Sequence, residues 1–440
     1  MNPTEESHPS AMPATTVGSD AIPRAADGSH GPIAVIGAGI IGAVAALHLR
    51  RHGRDVVLVD RAEPGSGCSF GNGGAISPDL CVPMALPGML RRVPGWFADP
   101  LGPLVVRRDA LPSALPWLLR WIRAGRMDRV EQVARALRAL HAPSLRRYAT
   151  ILGSQASGLI ERTGQLYVWT RDSAGPTEQL ARELRERNGV ESRPLEAREI
   201  YELDPELSPG FRRGLFFPDN GHTVNPLRLV RTLVDQFSSI GGEVRRANVV
   251  AVEQDGGCVR RLVLESGNRL NVGSVVLATG IDARPFARQF GDRVPLQAER
   301  GYHVMLPHPR VRPAIKISNR DHMFGMTPME NGVRIAGTVE IASPDAPVDE
   351  RRAWGLLERA KRMYPRLDGE GATIWMGCRP STPDSLPVIG PARRAANVVY
   401  AFGHGHTGLT GAPITAELVA HWLLGAKAPI DPSPYRPDRF

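Results

Sequence analysis

The feature that most constrains the fold is a strand, a glycine turn and a helix near the amino terminus. The apolar run Ile33–Ile36 leads into Gly37-Ala38-Gly39-Ile40-Ile41-Gly42, a helix is predicted over Ile40–Arg51, and a second apolar run ends at Asp60. The first glycine permits the tight turn, the second lets backbone approach a pyrophosphate, and the third lets helix and strand pack closely. This order predicts a dinucleotide-binding unit with Asp60 at a ribose hydroxyl.

Composition indicates a globular protein of more than one domain. The chain has 440 residues, 42% of them apolar, which is enough for more than one sizeable core. The net charge of +9 comes from 54 basic and 45 acidic residues. Because the arginines are scattered rather than gathered into one basic block, we expect no nucleic-acid partner.

Targeting features are weak in this sequence. The four cysteines form neither a CxxC pair nor a metal-ligand spacing, which favours a reducing compartment. Residues 1–30 lack a basic start followed by an apolar core, so we expect a disordered tail and no secretory signal. No apolar run is long enough to span a bilayer. The sequence predicts a cytoplasmic protein, with at most a peripheral contact at the inner face of the membrane through the tryptophan-rich segment 83–126.

The rest of the chain predicts a second domain inserted into the first. After Asp60 comes a glycine-rich loop, 65–78, which is too flexible in composition for a helix or a central strand. Further periodic segments predict helices over 115–123, 131–152, 177–188, 225–239 and 350–363, and strands over 164–169, 211–217, 243–252, 257–264, 271–280, 301–306 and 332–337. The fold class is therefore α/β, with an α+β second domain.

The predicted domains are discontinuous. A Rossmann-like dinucleotide-binding domain comprises 31–82, 215–295 and 376–430, and a second domain with an antiparallel sheet comprises 83–214 and 296–375. The segment 271–280 is expected to be a late strand of the first domain, which delivers backbone to the same cofactor.

A second glycine turn follows near the carboxy terminus. A strand over 397–402 runs into Gly403-His404-Gly405-His406-Thr407-Gly408, and a helix follows from Leu409 or Thr410 to Leu424. The pair His404 and His406 has the residue type of metal ligands, but no further cysteine, histidine or acid lies nearby at ligand spacing. We therefore predict no metal.

With these pieces in place, the chain resembles the flavin-dependent amine oxidoreductases of the D-amino-acid oxidase superfamily. It is most similar to bacterial D-amino-acid dehydrogenases and the related hydroxyproline dehydrogenases, from about Ile33 to Leu424. The resemblance rests on six ordered motifs: Val35–Gly42, Ser69–Gly74, Ala278–Gly280, Arg300–Tyr302, Arg379–Asp384 and Gly403–Gly405.

The resemblance implies that the cofactor is FAD. It places Asp60 at the adenosine ribose, Ser69 near the pyrophosphate, the backbone of Val250 at the adenine, and 72–76 along the flavin ring. The full set of implied cofactor contacts is Gly37, Gly39, Ile40, Ile41, Gly42, Asp60, Arg61, Ser69, Asn72, Gly73, Gly74, Ala75, Ile76, Val250, Thr279, Gly280, Gly403, Gly405, His406, Thr407, Gly408, Leu409 and Thr410. Some relatives bind flavin through a cysteine near the position of Cys378, but the spacing to Asp384 differs by one residue, so we predict non-covalent FAD.

The resemblance also implies a substrate site. Arg379 would clamp a carboxylate through a planar two-pronged geometry that lysine lacks. Tyr302 would add a hydroxyl hydrogen bond, and His404 would lie beside the flavin. His222 and His303 are weaker candidates for the same pocket.

The implied reaction is oxidation of the carbon–nitrogen bond of a small amino or imino acid, of the D-amino-acid or hydroxyproline type. Hydride would pass to flavin N5 and leave an imine, with a quinone or electron carrier favoured over oxygen as acceptor. Two alternatives stay open at this stage: a nicotinamide-dependent dehydrogenase that uses the same glycine motif, and a non-catalytic FAD-binding subunit. The identity and stereochemistry of the amino acid and the oligomeric state are likewise open.

Overall fold

The computed structural model describes residues 31–88, 99 and 101–440. The expected tail 1–30 and Trp96 therefore lie outside the described residues. Within those ranges, no helix has the length and apolar character needed to cross a bilayer. All four cysteines, Cys68, Cys81, Cys258 and Cys378, are free thiols.

The strands that the structure describes fall into four sheets and are numbered in chain order. They are β1 Ile33–Ile36, β2 Val56–Asp60, β3 Ala75–Ile76, β4 Leu104–Val106, β5 Ile160–Glu161, β6 Gln165–Trp169, β7 Arg193–Glu196, β8 Arg213–Phe217, β9 Gly221–Thr223, β10 Glu243–Arg246, β11 Val249–Asp255, β12 Cys258–Leu264, β13 Arg269–Asn271, β14 Ser274–Leu277, β15 Gln297–Leu306, β16 Lys316–Asn319, β17 Phe324–Met329, β18 Gly332–Ile341, β19 Thr373–Ser381, β20 Val388–Ala392 and β21 Ala395–Phe402.

The helices that the structure describes are α1 Ile40–Arg51, α2 Leu111–Ala124, α3 Met127–His141, α4 Ser144–Leu152, α5 Pro176–Arg187, α6 Ala197–Leu203, α7 Pro226–Ser239, α8 Ala283–Gln289, α9 Glu350–Met363 and α10 Gly408–Leu424. The bounds predicted for α1, β1 and α9 are confirmed to the residue.

A six-stranded sheet forms the centre of the dinucleotide-binding half. Its order is β10-β2-β1-β14-β21-β20, parallel except for β20. The apolar runs of β1 and β2 are buried on both faces, as a central parallel strand requires. Ile33 and Val35 pack with α1, α7 and α10, whereas Ala34 and Ile36 pack with β11, β12 and α8. This sheet is the predicted Rossmann-like layer.

A nine-stranded sheet forms the second half. Its main path is β19-β15-β18-β17-β16-β6-β8-β7, with β4 added beside β18. All pairs are antiparallel except β16 with β6 and β18 with β4. One face packs on α9, which buries Leu356 and Leu357 in the same core as Val304 and Ile335. The α/β class with a second, largely antiparallel sheet is thus confirmed.

Two of the predicted domain boundaries fall inside strands of this sheet. Position 215 lies within β8 and position 376 lies within β19. Because a strand belongs to the sheet that its backbone hydrogen bonds join, we propose boundaries after Phe217 and after Ser381.

Several predicted elements differ from the observed ones for identifiable reasons. The helix predicted over 131–152 is two helices, because Pro143 lacks the amide that would continue α3. The helix predicted over 115–123 begins at Leu111, with Pro112 in its first turn, where proline is tolerated. The strand predicted over 243–252 is divided between β10 and β11, which belong to different sheets.

The tryptophans of segment 83–126 that the structure describes are packing residues. Trp117 and Trp121 stack with ring centroids 6.3 Å apart and are buried with Ile341 of the large sheet. The indole Nε1 of Trp117 donates to the carbonyl of Ser381 at 3.1 Å. Helix α2 is therefore bound to the end of β19 through Trp117.

Candidate active site

The first glycine turn has the geometry that the sequence predicts. Gly37 has φ +105°, and a Cβ there would lie 2.5 Å from the carbonyl oxygen of Ala278. A Cβ on Gly42 would lie 1.7 Å from the carbonyl oxygen of Gly37. Only hydrogen fits at these two positions. At Gly39, by contrast, the one described atom within 4 Å of a Cβ is Ser69 Oγ at 3.3 Å, and this glycine lines a cavity.

Asp60 and Ser69 tie the start of α1 to its surroundings. Asp60 Oδ2 accepts the amide of Ala38 at 2.6 Å, and Oδ1 accepts the amide of Ala62 at 2.9 Å. Ser69 Oγ accepts the amide of Ile40 at 2.9 Å. Each Asp60 oxygen keeps a second acceptor position, which a ribose hydroxyl can use. The serine in turn fixes the glycine-rich loop beside the helix N-terminus.

Three further predicted cofactor residues lie at the same end. Arg61 forms an ion pair with Asp282 at 2.7 Å across the mouth of the site, and Val250 is 52% exposed there. The hydroxyl of Thr279 is buried and has no hydrogen-bond partner among the described residues. A buried hydroxyl without a partner is costly, so Thr279 marks a place where a ligand would supply the missing partner.

The loop 69–76 is held by side chains of the large sheet. Arg334 donates to the carbonyls of Phe70 at 2.8 Å and Asn72 at 2.6 Å, and Thr327 donates to the carbonyl of Gly73 at 2.7 Å. Arg334 is almost fully buried, and this burial lowers the pKa of its guanidinium to about 10. These contacts fix the backbone that the resemblance assigns to the flavin ring.

His303 and His222 support the same loop. The ring of His303 stacks on Trp375 with centroids 5.2 Å apart, and its Nδ1 lies 3.1 Å from the carbonyl of Gly71. Burial and the charge of Arg334 lower its pKa to about 3. His303 is therefore neutral and carries one ring hydrogen. Since the carbonyl of Gly71 can only accept, this hydrogen is on Nδ1, which donates. His222 lies on β9, whose backbone pairs with Ala75.

The second glycine turn connects β21 to α10. His404 is buried, and its Nε2 lies 2.9 Å from Thr415 Oγ1, whose hydroxyl donates to the carbonyl of Gly411. His404 Nε2 is therefore the donor. Burial lowers the pKa of His404 to about 3, so its ring is neutral. His406 has a different partner, Glu299, with 2.6 Å between Nε2 and Oε2.

The start of α10 is joined to the loop and to α4. Thr410 Oγ1 accepts the amide of Ser77 at 3.2 Å. Pro413 lies inside the helix and lacks the amide that would bond the carbonyl of Leu409. The buried hydroxyl of Tyr148 donates to that carbonyl at 2.7 Å instead. This side chain replaces the lost helical hydrogen bond and keeps the first turn of α10 in place.

One cavity of about 1830 Å³ joins both glycine turns. Its lining includes Gly39, Asp60 and Val250 at one end and Arg379 and Thr410 at the other. The backbone of Gly39, the unpartnered hydroxyl of Thr279 and the two helix N-termini on the cavity lining, at Ile40 and at Gly408, fit a long dinucleotide. Among the expected cofactor residues, all but Gly42, Gly74, Ile76 and Thr407 line this cavity.

Arg379 lies in the same cavity, beside two groups that sequence reasoning did not connect to it. A Cβ built on Gly301 would lie 2.1 Å from Arg379 Cζ, so the guanidinium lies directly over this glycine. Its Nη1 donates to the carbonyl of Thr338 at 3.2 Å. Glu299 is opposite Arg379 in the pairing of β15 with β19.

Glu299 carries a negative charge beneath the guanidinium. Burial by itself would raise the pKa of Glu299, but the hydrogen bond from His406 and the charges of His406 and Arg379 lower it overall. The carboxylate is therefore ionised and only accepts, so Nε2 of His406 carries hydrogen. Glu299 thus binds His406 directly and attracts Arg379 by its charge.

Tyr302 also lines the cavity. Its hydroxyl donates to Glu340 Oε2 at 2.6 Å, and the side chain is 1% exposed and packs in the core under α9. The hydrogen bond from this hydroxyl to the substrate, which the resemblance implies, stays a prediction. Glu299, Arg334 and Thr327 have places in the site that the sequence did not reveal, since none of them belongs to a motif that predicts a contact with cofactor or substrate.

Comparison with known proteins agrees with this geometry. Residues 32–422 match the family model described as FAD dependent oxidoreductase. A D-amino-acid oxidase of Bradyrhizobium diazoefficiens is 37% identical over 94% of this chain and 99% of its own length. A D-amino acid dehydrogenase of Paramagnetospirillum magneticum is 30% identical over 93% of this chain and 98% of its own length. The solved structure of an L-proline dehydrogenase from P. horikoshii superposes with a TM-score of 0.70 at 20% identity, over 93% and 97% of the two chains.

The chain belongs to the FAD-dependent oxidoreductase family of the D-amino-acid oxidase type. It is an FAD-dependent amino-acid oxidoreductase. The predicted cofactor is confirmed, and the nicotinamide-dependent alternative is disfavoured.

Proposed function

We propose that this protein oxidises the carbon–nitrogen bond of a small amino or imino acid, of the D-amino-acid or hydroxyproline type, to the imine. The observation that carries the proposal is Arg379, a half-buried guanidinium in the FAD cavity with free donor positions. Such a group recognises a carboxylate through paired hydrogen bonds. Bound FAD supplies the two-electron acceptor at its ring.

The residues around Arg379 orient the substrate. The carbonyl of Thr338 accepts a hydrogen bond from the guanidinium, and the charge of Glu299 attracts it from the facing position of β15. The remaining donors of Arg379 are left for the carboxylate. The loop 69–76, fixed by Arg334, limits how the substrate approaches. His406 Nε2 donates to Glu299, so its Nδ1 is the imidazole atom that can exchange a proton with the bound amine. Orientation is the main contribution of these side chains.

Replacement of Arg379 by lysine tests this role. We expect Arg379→Lys to keep FAD and to reduce kcat/KM by about 10²-fold, since lysine lacks the second donor of the fork. Arg198→Lys is the matched control, because Arg198 lies on the surface of α6 with a side chain 90% exposed. Anaerobic bleaching of the flavin by a panel of amino acids gives the rates. Equal rates for wild type and Arg379→Lys would refute the clamp, and a flavin that no amino acid bleaches would indicate the non-catalytic subunit instead.

We also propose that FAD is held without a covalent bond. Burial raises the pKa of the Cys378 thiol to about 11, which keeps it protonated and poorly nucleophilic. Acid precipitation should release all of the yellow pigment into the supernatant. Pigment that stays with the pellet would contradict this proposal.

The acceptor we propose is a quinone or an electron carrier, reached from the membrane surface. Leu115 and Leu119 on α2 are 47% and 54% exposed, and Arg120 and Arg123 are exposed beside them. Such a face suits anionic lipid. Holoenzyme should float with phosphatidylglycerol vesicles, and Leu115→Ser with Leu119→Ser should abolish flotation. Rapid oxygen consumption without an added acceptor, together with no flotation, would favour an oxidase.

A further inference from the structure

The FAD cavity continues along the large sheet, away from Arg379. Lys316 and Ser318 of β16 and Gly325 of β17 line the same cavity, and so does Arg320, which follows β16 directly. Side chains of a strand alternate between its faces, so Lys316 and Ser318 point to one side, over the cavity. This end of the cavity has no role in the site described above.

Two cations in this region form no ion pair among the described residues, although the charge of the nearby Asp79 partly offsets the burial that lowers the pKa of both. Lys316 is 7% exposed, and within the described ranges its ammonium makes no hydrogen bond or ion pair. Burial lowers its pKa to about 8, so it is still charged at neutral pH. The guanidinium of Arg320 lies 4.8 Å from the ring centroid of Tyr167 and likewise has no hydrogen bond in the part of the chain that the structure describes.

The nearby acids are shared with other cations. Asp79 Oδ1 accepts from Asn220 Nδ2 at 2.7 Å, and its Oδ2, which accepts no hydrogen bond among the described residues, forms an ion pair with Arg185 at 3.6 Å. Glu178 is paired with Arg213 at 2.8 Å and with Arg171 at 3.6 Å. The cavity wall at Lys316 and Arg320 therefore has a surplus of positive charge, away from bulk water. Such a surplus is costly unless an anion binds there.

The floor between Arg379 and Lys316 is made of small residues. Arg379 lies over Gly301, and Lys316 lies over Gly325, where a Cβ would be 3.2 Å from Nζ. Ala336 of β18 pairs with Gly325 on one side and with His303 on the other. Gly301 and Gly325 are thus separated by two strand spacings and offset by two residues along the strands. In a regular sheet this places their Cα atoms roughly 12 Å apart.

We propose that Lys316 and Arg320 form a second anion subsite, and that the substrate is an acidic amino or imino acid whose two carboxylates bridge Arg379 and Lys316. If each carboxyl carbon lies about 3.5–4 Å from its cation, the two carboxyl carbons are about 5 Å apart, the span of a four- to six-carbon amino dicarboxylate. This inference rests on the proposed function, since it names the substrate class of the same site.

Binding of unreactive acids tests the subsite without turnover. Glutarate and pentanoate have the same number of carbons and differ in one carboxylate, and each is titrated into holoenzyme while the visible flavin spectrum is followed. We expect glutarate to bind at least ~10-fold more tightly, the size of one charge-assisted hydrogen bond. Lys316→Gln should remove this preference. Lys361→Gln, which removes an exposed lysine paired with Glu358 on α9, should keep it. Equal affinity of the two acids in wild type, or an unchanged preference in Lys316→Gln, would overturn the proposal.

Turnover gives a second measurement that separates the two proposals. For each enantiomer of glutamate and glutamine we compare kcat/KM, and we expect the glutamate-to-glutamine ratio to fall ~10- to 100-fold in Lys316→Gln. If Lys316→Gln does not fold, Arg320→Gln is measured in its place, with the same expected direction. Suppose that neutral amino acids bleach the flavin and that neither variant changes the glutamate-to-glutamine ratio of kcat/KM. This result would overturn the subsite and leave the proposed function intact. A glutarate preference without bleaching by any amino acid would support the subsite and overturn the function.

Discussion

Replacement of Gly301 by alanine should move the carboxylate clamp without unfolding the protein. The added Cβ would lie 2.1 Å from Arg379 Cζ, whereas two carbons in contact are about 3.5 Å apart. The guanidinium must therefore shift by roughly 1.4 Å. It is the far end of a flexible side chain and can move, whereas Gly301 is held by its pairing with Gly377. We therefore expect Gly301→Ala to fold and the guanidinium of Arg379 to be displaced.

A shift of this size has a large effect on turnover. Misplacement by about 1 Å can reduce a rate about 10²-fold, so we expect kcat/KM of Gly301→Ala to fall ~100-fold, or about 2.7 kcal/mol. FAD content and melting temperature should stay close to wild type. The assay is anaerobic flavin reduction over a range of amino-acid concentrations, with FAD content read from the visible spectrum.

The control is Gly355→Ala on α9, where a Cβ meets nothing within 4 Å. This variant should gain up to ~1 kcal/mol of helix stability and keep wild-type kinetics. If Gly301→Ala retained full FAD and normal kcat/KM, the carboxylate could not be bound by the guanidinium in the position seen over Gly301.

Three further outcomes are expected. Gly42→Ala should yield protein without FAD, because its Cβ would lie 1.7 Å from a backbone oxygen, and full flavin absorbance would contradict this. Tyr148→Phe leaves the Leu409 carbonyl buried without a donor and should cost about 1–3 kcal/mol in urea unfolding. Adding Pro413→Ala should recover part of this loss, and no recovery would show that the hydroxyl has another role. The pKa of His404 is lowered by burial to about 3 against 6.5 in the unfolded chain, so protons favour the unfolded state as pH falls through 6.5. Between pH 7 and 5 this residue should cost about 2 kcal/mol of stability, and His404→Gln should show a shallower decline than the exposed-residue control His308→Gln.

Local patterns account for the parts of the site that were predicted well. The unit from Ile33 to Asp60 is encoded by apolar runs and glycine spacing within thirty residues, and its bounds and close contacts are as expected. The second turn at 403–408 is predictable for the same reason. Both glycine turns depend on backbone conformations that the glycines within each motif permit.

Tyr302 shows what a local pattern leaves open. The motif Arg300–Tyr302 carries the family resemblance, but neighbouring residues of a strand point to opposite faces of the sheet. β15 alternates regularly against β19, so Gly301 lies under Arg379 while Tyr302 points to the opposite face, into the core with Val304. Which face carries the substrate site depends on how the sheet packs, and no residue type in the motif announces it.

The sequence by itself determined the cofactor class, the two glycine turns and the arginine that can bind a carboxylate, because each is written in residues close together in the chain. Only the tertiary structure decided that Glu299 faces Arg379 and bonds His406, and that Lys316 borders the same cavity without an ion pair in the part of the chain that the structure describes. These neighbours are brought together by sheet register and helix packing across long stretches of chain. Burial then sets their charge and hydrogen bonding, which sequence spacing does not contain.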